Sequence, residues 1–200
     1  MQVLKDEMKA EIDRAAVQVF LRKGFRKASM KEIALQAGTS VSNMYNYYPN
    51  KTGLFSALVT PVLESLRQLF RSLLEQEEDH SFAEKDFRRE FEQVLLKMIS
   101  RFLSLRRESL LLLFDKSEGT PFDSSREEVV SFMAAHFSDS LPAGKKSREN
   151  LLLMHIFASN LTEGLLEIIR HTRGEQERTT VLRGLIQYHI NGIFPFFEEA

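Results

Sequence analysis

Apolar residues recur along most of the chain at three- and four-residue intervals, the spacing of one face of an α-helix. Leu4, Met8, Ile12, Ala15 and Val19 form the first stripe, Ala16 and Phe20 widen it, and Gly24 follows as a stop, which predicts an amphipathic helix of about five turns. Ser29-Met30-Lys31-Glu32 reads as a capping box: the Ser29 hydroxyl accepts from the Glu32 amide, and the Glu32 carboxylate reaches back to the Ser29 amide. A short second helix therefore starts there, buries Ile33, Ala34 and Ala37, and stops at Gly38. Thr39 or Ser40 caps a third, which has to end before Pro49 because proline disfavours helical backbone in the residue preceding it. Three short helices with a Gly-containing turn between the second and third have the layout of a helix-turn-helix.

Asn50 caps a long helix through Leu54, Phe55, Leu58, Val62, Leu66 and Phe70 toward Glu78, with a kink or restart predicted at Pro61. From about Ser81, the residues Phe87, Phe91, Val94, Leu95, Met98, Ile99 and Phe102 form another stripe, and a short apolar run follows over 110–114. Ser117-Glu118-Gly119-Thr120-Pro121 is a loop by its Gly and Pro. Further helices are predicted over about 124–141, 147–171 and 176–194, with a solvated connector over 142–146. The fold class is all-α, with a helix-turn-helix domain over 1–50 and a helical bundle over 51–200.

Composition agrees with this pattern. Gly (9) and Pro (5) are scarce, and the strong helix formers recur throughout. The absence of Cys removes disulfides, thiolate nucleophiles and Cys-based zinc sites, and fits a reducing compartment. The N-terminus carries Lys5, Asp6, Glu7 and Lys9 before any apolar run, and no stretch is read as approaching the roughly 20 apolar residues of a membrane span, so a cytoplasmic protein without a membrane partner is expected. The net charge of −1 hides an asymmetry: residues 1–55 hold nine Lys/Arg against five Asp/Glu, a net +4, which leaves −5 for the remainder. A basic N-terminal quarter permits an anionic partner at that end.

The third helix has the most unusual chemistry. At 100° per residue, Val41, Met44, Tyr45 and Tyr48 fall in one sector and pack inward, with the phenol tips reaching the edge. Ser42, Asn43, Asn46 and Tyr47 face the other way. Exposed Asn bonds adenine edges, Ser serves either groove partner, and Tyr and Lys bond phosphate oxygens, which is the chemistry of a major-groove surface. A solvated polar face would show the same residues, but the capped helix before it, the tight turn and the basic surroundings favour DNA.

The span from Ile12 to Phe55 resembles the N-terminal DNA-binding domain of the TetR/AcrR family of bacterial transcriptional regulators. The matching residues are Ala15-Ala16 and Phe20 before Gly24-Phe25, then Ser29-Met30-Lys31-Glu32-Ile33-Ala34, Ala37-Gly38-Thr39-Ser40, Met44-Tyr45-Asn46-Tyr47-Tyr48, Asn50-Lys51 and Leu54-Phe55. The resemblance implies phosphate and base contacts by Ser29 and Lys31, a base-reading surface at Val41, Ser42, Asn43 and Asn46, and backbone clamps at Tyr45, Tyr47 and Lys51. Val41 stands where the family often has a basic or polar residue, Ser42 where it often has Gly, and Tyr48 where it usually has Phe, a change read as neutral packing. The resemblance also implies a double-stranded DNA operator as partner, a helical regulatory domain that dimerises through its last two helices, and a small-molecule effector.

The C-terminal residues bear on both implications. Gly184, Tyr188 and Gly192 lie four apart on one side of the final helix, with Leu182, Ile186, Ile190 and Ile193 on a second face. Small residues on one side permit close approach by another helix, so a four-helix homodimer interface, two helices from each chain, is expected; a central place for both helices in a monomer core is the alternative. His155, Ser159 and Thr162 form a polar stripe that is a candidate for orienting an effector, with Phe91, Phe102 and Phe114 as candidate walls. Local hydrogen bonding within the bundle explains the same stripe. Arg101, Arg106 and Arg107 are open to two readings, an anionic effector or a solvated helix end. The five His are scattered, no Gly-rich phosphate loop is present, His155 and Ser159 lack a third catalytic member, and Glu163 with His155 makes only a weak metal pair. No catalytic residue, cofactor or metal is expected. The sequence thus points to a ligand-responsive repressor that binds a palindromic operator as a homodimer; the alternative is a helical ligand-binding or interaction protein with a degenerate DNA-binding domain.

Overall fold

The structure, a computed structural model, describes residues 2–77 and 85–197. The side chains of Leu4 and Phe87 and the stretch 78–84, on which parts of the predicted stripes fell, lie outside the described residues. The chain forms α1 (Gln2–Lys27), α2 (Met30–Gln36), α3 (Val41–Met44), α4 (Lys51–Glu77), α5 (Lys85–Asp115), α6 (Ser125–Asp139), α7 (Arg148–His171) and α8 (Glu175–Phe197), with a 3-10 turn at Ala143–Lys145. No strand occurs among the described residues, and the fold is all-α.

Gly24 interrupts α1 as the pattern predicts, its φ of 74° being a backbone natural to glycine, and only the short stretch to Lys27 follows it. α4 runs on through Pro61 without restarting. Ala57, whose carbonyl loses its ladder partner, and Pro61 both lie on the exposed side of the helix, where water can take the bond. The stripe from Phe91 and the apolar run near Leu112 belong to one 31-residue helix, α5.

The chain divides into two compact units, Met1–Arg67 with Arg106–Ser124, and Gln68–Leu105 with Ser125–Ala200. In the first, Ile12, Ala16, Val19, Phe20, Ile33, Met44, Leu54, Phe55, Leu112 and Leu113 are fully buried. Phe20 and Phe25 stand edge-on to Phe55 with ring centroids 5.1 Å and 5.3 Å away, so the α1–α2 turn is packed against α4. In the second, Val130, Met133 and Ala134 of α6 pack on Ala158 of α7, flanked by Phe70, Val129, Phe137 and Leu161. α8 approaches α7 at Gly164, where a Cβ would lie 2.7 Å from Leu185 Cδ1. By length and composition α7 is long and apolar enough to cross a membrane, contrary to the expectation from sequence. In this fold its Met154, Ala158, Leu166 and Ile169 are buried, with α6 and α8 packed on the helix.

Candidate nucleic-acid interface

α2 begins where the capping box placed it: the Ser29 hydroxyl accepts from the Glu32 amide at 3.2 Å. The other half of the box does not form. The Glu32 carboxylate instead takes Arg22 at 2.9 Å and Lys23 at 2.8 Å, and these cations, Lys23 first, hold its carboxyl below the usual range. Two cations outcompete one neutral amide for a carboxylate, and the result ties α2 to α1. At the end of α2 the Thr39 amide donates to the Ala34 carbonyl (3.0 Å) and the Gly38 amide to Leu35 (3.3 Å), a Schellman closure that needs the positive φ of Gly38, 66°. Ser40 caps α3 by accepting from the Asn43 amide at 3.1 Å, while the Thr39 hydroxyl accepts from the Asn43 side chain at 2.9 Å.

α3 is a single turn, and past Met44 the backbone tightens. The Asn46 amide bonds Asn43 and the Tyr47 amide bonds Met44, each three residues back at 3.0 Å. A uniform 100° wheel therefore fails over the last residues. Met44 and Tyr48 point inward as expected, Tyr48 being 5% exposed. Tyr45, expected at the inner boundary, is 52% exposed, and Tyr47, expected to face out, is half-buried. Ser29, Lys31, Ser42 and Asn46 are exposed; Val41, Asn43 and Lys51 are half-buried. The Asn43 side chain is engaged on both sides, its Nδ2 donating to the Thr39 hydroxyl and its Oδ1 accepting from the Asn46 side-chain Nδ2 at 3.1 Å, so it buttresses Asn46. The exposed polar edge of α3 is Ser42, Tyr45 and Asn46.

Two long-range tethers hold this edge. The Tyr48 hydroxyl donates to Asp13 on α1, and the same carboxylate takes Lys9 at 2.9 Å, whose ammonium lies 5.4 Å from the Tyr48 ring centroid. Hydrogen bonding to Tyr48 and Asp13 holds the Lys9 ammonium well above its ordinary pKa, and burial, then Asp13, raises that of the Tyr48 phenol. Tyr48 in place of Phe is thus not neutral packing: its hydroxyl fastens the end of α3 to α1. The second tether is Lys51. Its ammonium donates to the carbonyls of Phe25 (2.8 Å), Ala28 (2.9 Å) and Arg26 (3.4 Å) and sits 4.3 Å from the Phe25 ring centroid. Burial draws its pKa below the ordinary lysine value. The side chain expected as an outward anchor is directed at the carbonyl end of α1, where the helix dipole favours a cation. Asn50 caps α4 by accepting from the Gly53 amide at 2.8 Å.

The C-terminal candidates separate. His155 and Ser159 are exposed, beside Leu152 (59% exposed) and Ile156, whereas Thr162 is buried with its hydroxyl on the Ala158 carbonyl at 2.9 Å and near Met133. The three share one helical face, but that face passes from open solvent to cover by α6, so they do not line one cavity. Phe91 and Phe102 belong to the second unit and Phe114 to the first. Glu163 pairs with Arg126 and Arg170 rather than with His155. Gly184, Tyr188 and Gly192 lie together on the exposed face of α8; Tyr188 is 67% exposed, and a Cβ at either glycine would meet nothing within 4 Å. Leu182, Ile186, Ile190 and Ile193 form the opposite, buried face.

Residues 12–58 match the family model described as bacterial regulatory proteins, tetR family. The chain is 38% identical over 69 residues to the uncharacterized HTH-type transcriptional regulator YfiR of Bacillus subtilis strain 168, a match that spans only 34% of either protein. Among solved structures it is similar to a TetR-like transcriptional regulator from Rhodococcus sp. RHA1, with a TM-score of 0.57 at 20% identity over 92% of this chain and 96% of that one. It is also similar to the fatty acid degradation regulator FadR from Bacillus halodurans, with a TM-score of 0.56 at 16% identity over 92% and 95%. At these identities the structural likeness is one of fold.

Proposed function

We propose that the chain, whose residues 12–58 match the tetR family of bacterial regulatory proteins, is a DNA-binding transcriptional regulator of that family, a ligand-responsive repressor that binds a palindromic operator as a homodimer. The observation that carries this reading is the exposed edge of Ser42, Tyr45 and Asn46 on a one-turn helix tethered by Tyr48 to Asp13 and flanked by the Lys51 staple. A surface held this firmly meets base edges without first being ordered. Residues 1–50 are the DNA-binding part; Ser42 and Asn46 read bases, with Val41 beside them and Asn43 as buttress, while Ser29, Lys31, Tyr45 and Tyr47 meet phosphates. Lys51 acts through the turn it holds. Residues 51–200 are the regulatory part.

One such helix covers few base pairs, and a two-fold pair about 34–36 Å apart reads two half-sites. The open glycines and Tyr188 on α8, with exposed Leu151, Leu152 and Ile156 on α7, supply an apolar face of the kind a second copy covers. An effector that binds the two dimer geometries unequally then changes operator affinity.

The test is binding to the DNA upstream of its own gene as salt is raised. A repressor prefers that fragment over a shuffled one and loses affinity steeply with salt, because phosphate contacts release counterions. Equal, weak binding to both fragments would favour the helical interaction protein instead.

A further inference from the structure

Arg178 stands in the opening turn of α8 with its side chain turned into the second unit, 8% exposed. Nη2 donates to the Ser104 hydroxyl of α5 at 3.0 Å, and Nε is buried without a hydrogen-bond partner. Among the described residues no carboxylate pairs with it. The acids nearest in sequence are directed elsewhere: Glu175 and Glu177 are exposed, and Glu177 accepts from the Arg173 amide at 2.8 Å. Beside it, the hydroxyls of Ser100 and Thr179 meet at 3.2 Å, which continues a polar seam between α5 and α8. Leu103, next to Ser104 in sequence, and Leu182, one turn after Arg178 on α8, are buried.

A guanidinium carries five N–H donors and a full charge, and one neutral hydroxyl compensates neither. Burying such a group without a counter-charge is strongly unfavourable, and an anion arriving on its planar fork relieves the penalty through charge-assisted bonds. We propose that Arg178, with Ser104, receives the oxyanion of an acidic effector, and that the apolar neighbours favour a small organic acid over an inorganic ion. This rests on the reading of the chain as a ligand-responsive regulator and gives that ligand a chemical class. Of Arg101, Arg106 and Arg107, the arginines whose positions suggest an anionic effector, the first two are exposed.

The full-length protein, with Arg178→Met and Arg178→Lys variants, is titrated with sodium octanoate, with inorganic phosphate, and with sodium chloride at matched ionic strength. Thermal midpoint and operator affinity are both followed. Octanoate is expected to raise the wild-type midpoint and to bind Arg178→Met at least about tenfold more weakly. Arg178→Lys keeps the charge but loses the fork, and is expected to respond weakly. Without ligand, Arg178→Met is expected to melt no lower than wild type, since the uncompensated charge is gone. A response to phosphate in place of octanoate supports the oxyanion site and assigns it to phosphate-type ligands. Equal responses in wild type and Arg178→Met, no response to either anion, or an Arg178→Met midpoint below wild type overturns the proposal. Binding that depends on Arg178 but leaves operator affinity unchanged supports the site and overturns the ligand-responsive reading; anion-driven DNA release that persists in Arg178→Met does the reverse.

Discussion

Replacing Lys51 by methionine keeps the aliphatic stem and removes only the ammonium. Two of its bonds are short, to the Phe25 and Ala28 carbonyls at 2.8 Å and 2.9 Å, and a charge-assisted bond contributes about 1.5–3 kcal/mol. The gross gain is not the net one: burial lowers the pKa of this lysine, so desolvating the charge offsets part of it. A net loss of about 2 kcal/mol follows, with two carbonyls of the α1–α2 turn left to find water. For a chain of this size that lowers the thermal midpoint by about 4–8 °C. DNA binding, measured where the variant is still fully folded, is expected to keep its dependence on salt, because a phosphate contact would account for about one unit of that slope and the staple for none. An unchanged midpoint together with a slope smaller by about one would refute the argument and return Lys51 to the role of a DNA anchor.

Asn46→Ala is expected to cost about 1–3 kcal/mol of discrimination at a single base pair while leaving the salt slope intact, which operators differing at one position would reveal. Tyr48→Phe keeps the ring but strips Asp13 of a donor; since Lys9 continues to hold that carboxylate, the loss in urea unfolding is expected to be about 1–2 kcal/mol. His189 is buried, its Nδ1 donates to the Leu185 carbonyl at 2.9 Å, and Nε2 has no partner. Burial, against the smaller opposing effect of that bond, depresses its pKa, so below about pH 6.5 the unfolded chain takes the proton before the folded one. Stability should therefore fall as pH drops through 6.5, and His189→Gln should lack that part of the decline.

What could be read from the sequence was local. Ser29, Ser40, Asn50 and Ser147 each bond an amide three residues on, a contact set by the residue and its position alone, and all of them start helices where the pattern predicted. Gly38 closes its turn for the same reason. Tyr48–Asp13 joins residues 35 apart and Lys51–Phe25 residues 26 apart, and neither follows from spacing on one helix. The capping box failed at Glu32 because a second helix brought two cations that no local rule counts. The wheel failed at Tyr45 and Tyr47 because it assumes helical pitch beyond the one turn that forms. The polar stripe on α7 failed differently: periodicity states which residues share a face, not how far along the axis a neighbour covers it.

Arg178 was within reach of the same periodicity. The buried stripe Leu182, Ile186 and Ile190 repeats every four residues, and one step earlier it meets Arg178. A charge in register with an apolar stripe is either at a frayed end, where it turns to solvent, or inside, where it needs a counter-charge. Sequence alone leaves that choice open. The burial of Arg178 and its unpartnered Nε decide for the second case, and with no carboxylate of the described chain in place, the counter-charge is left to a ligand.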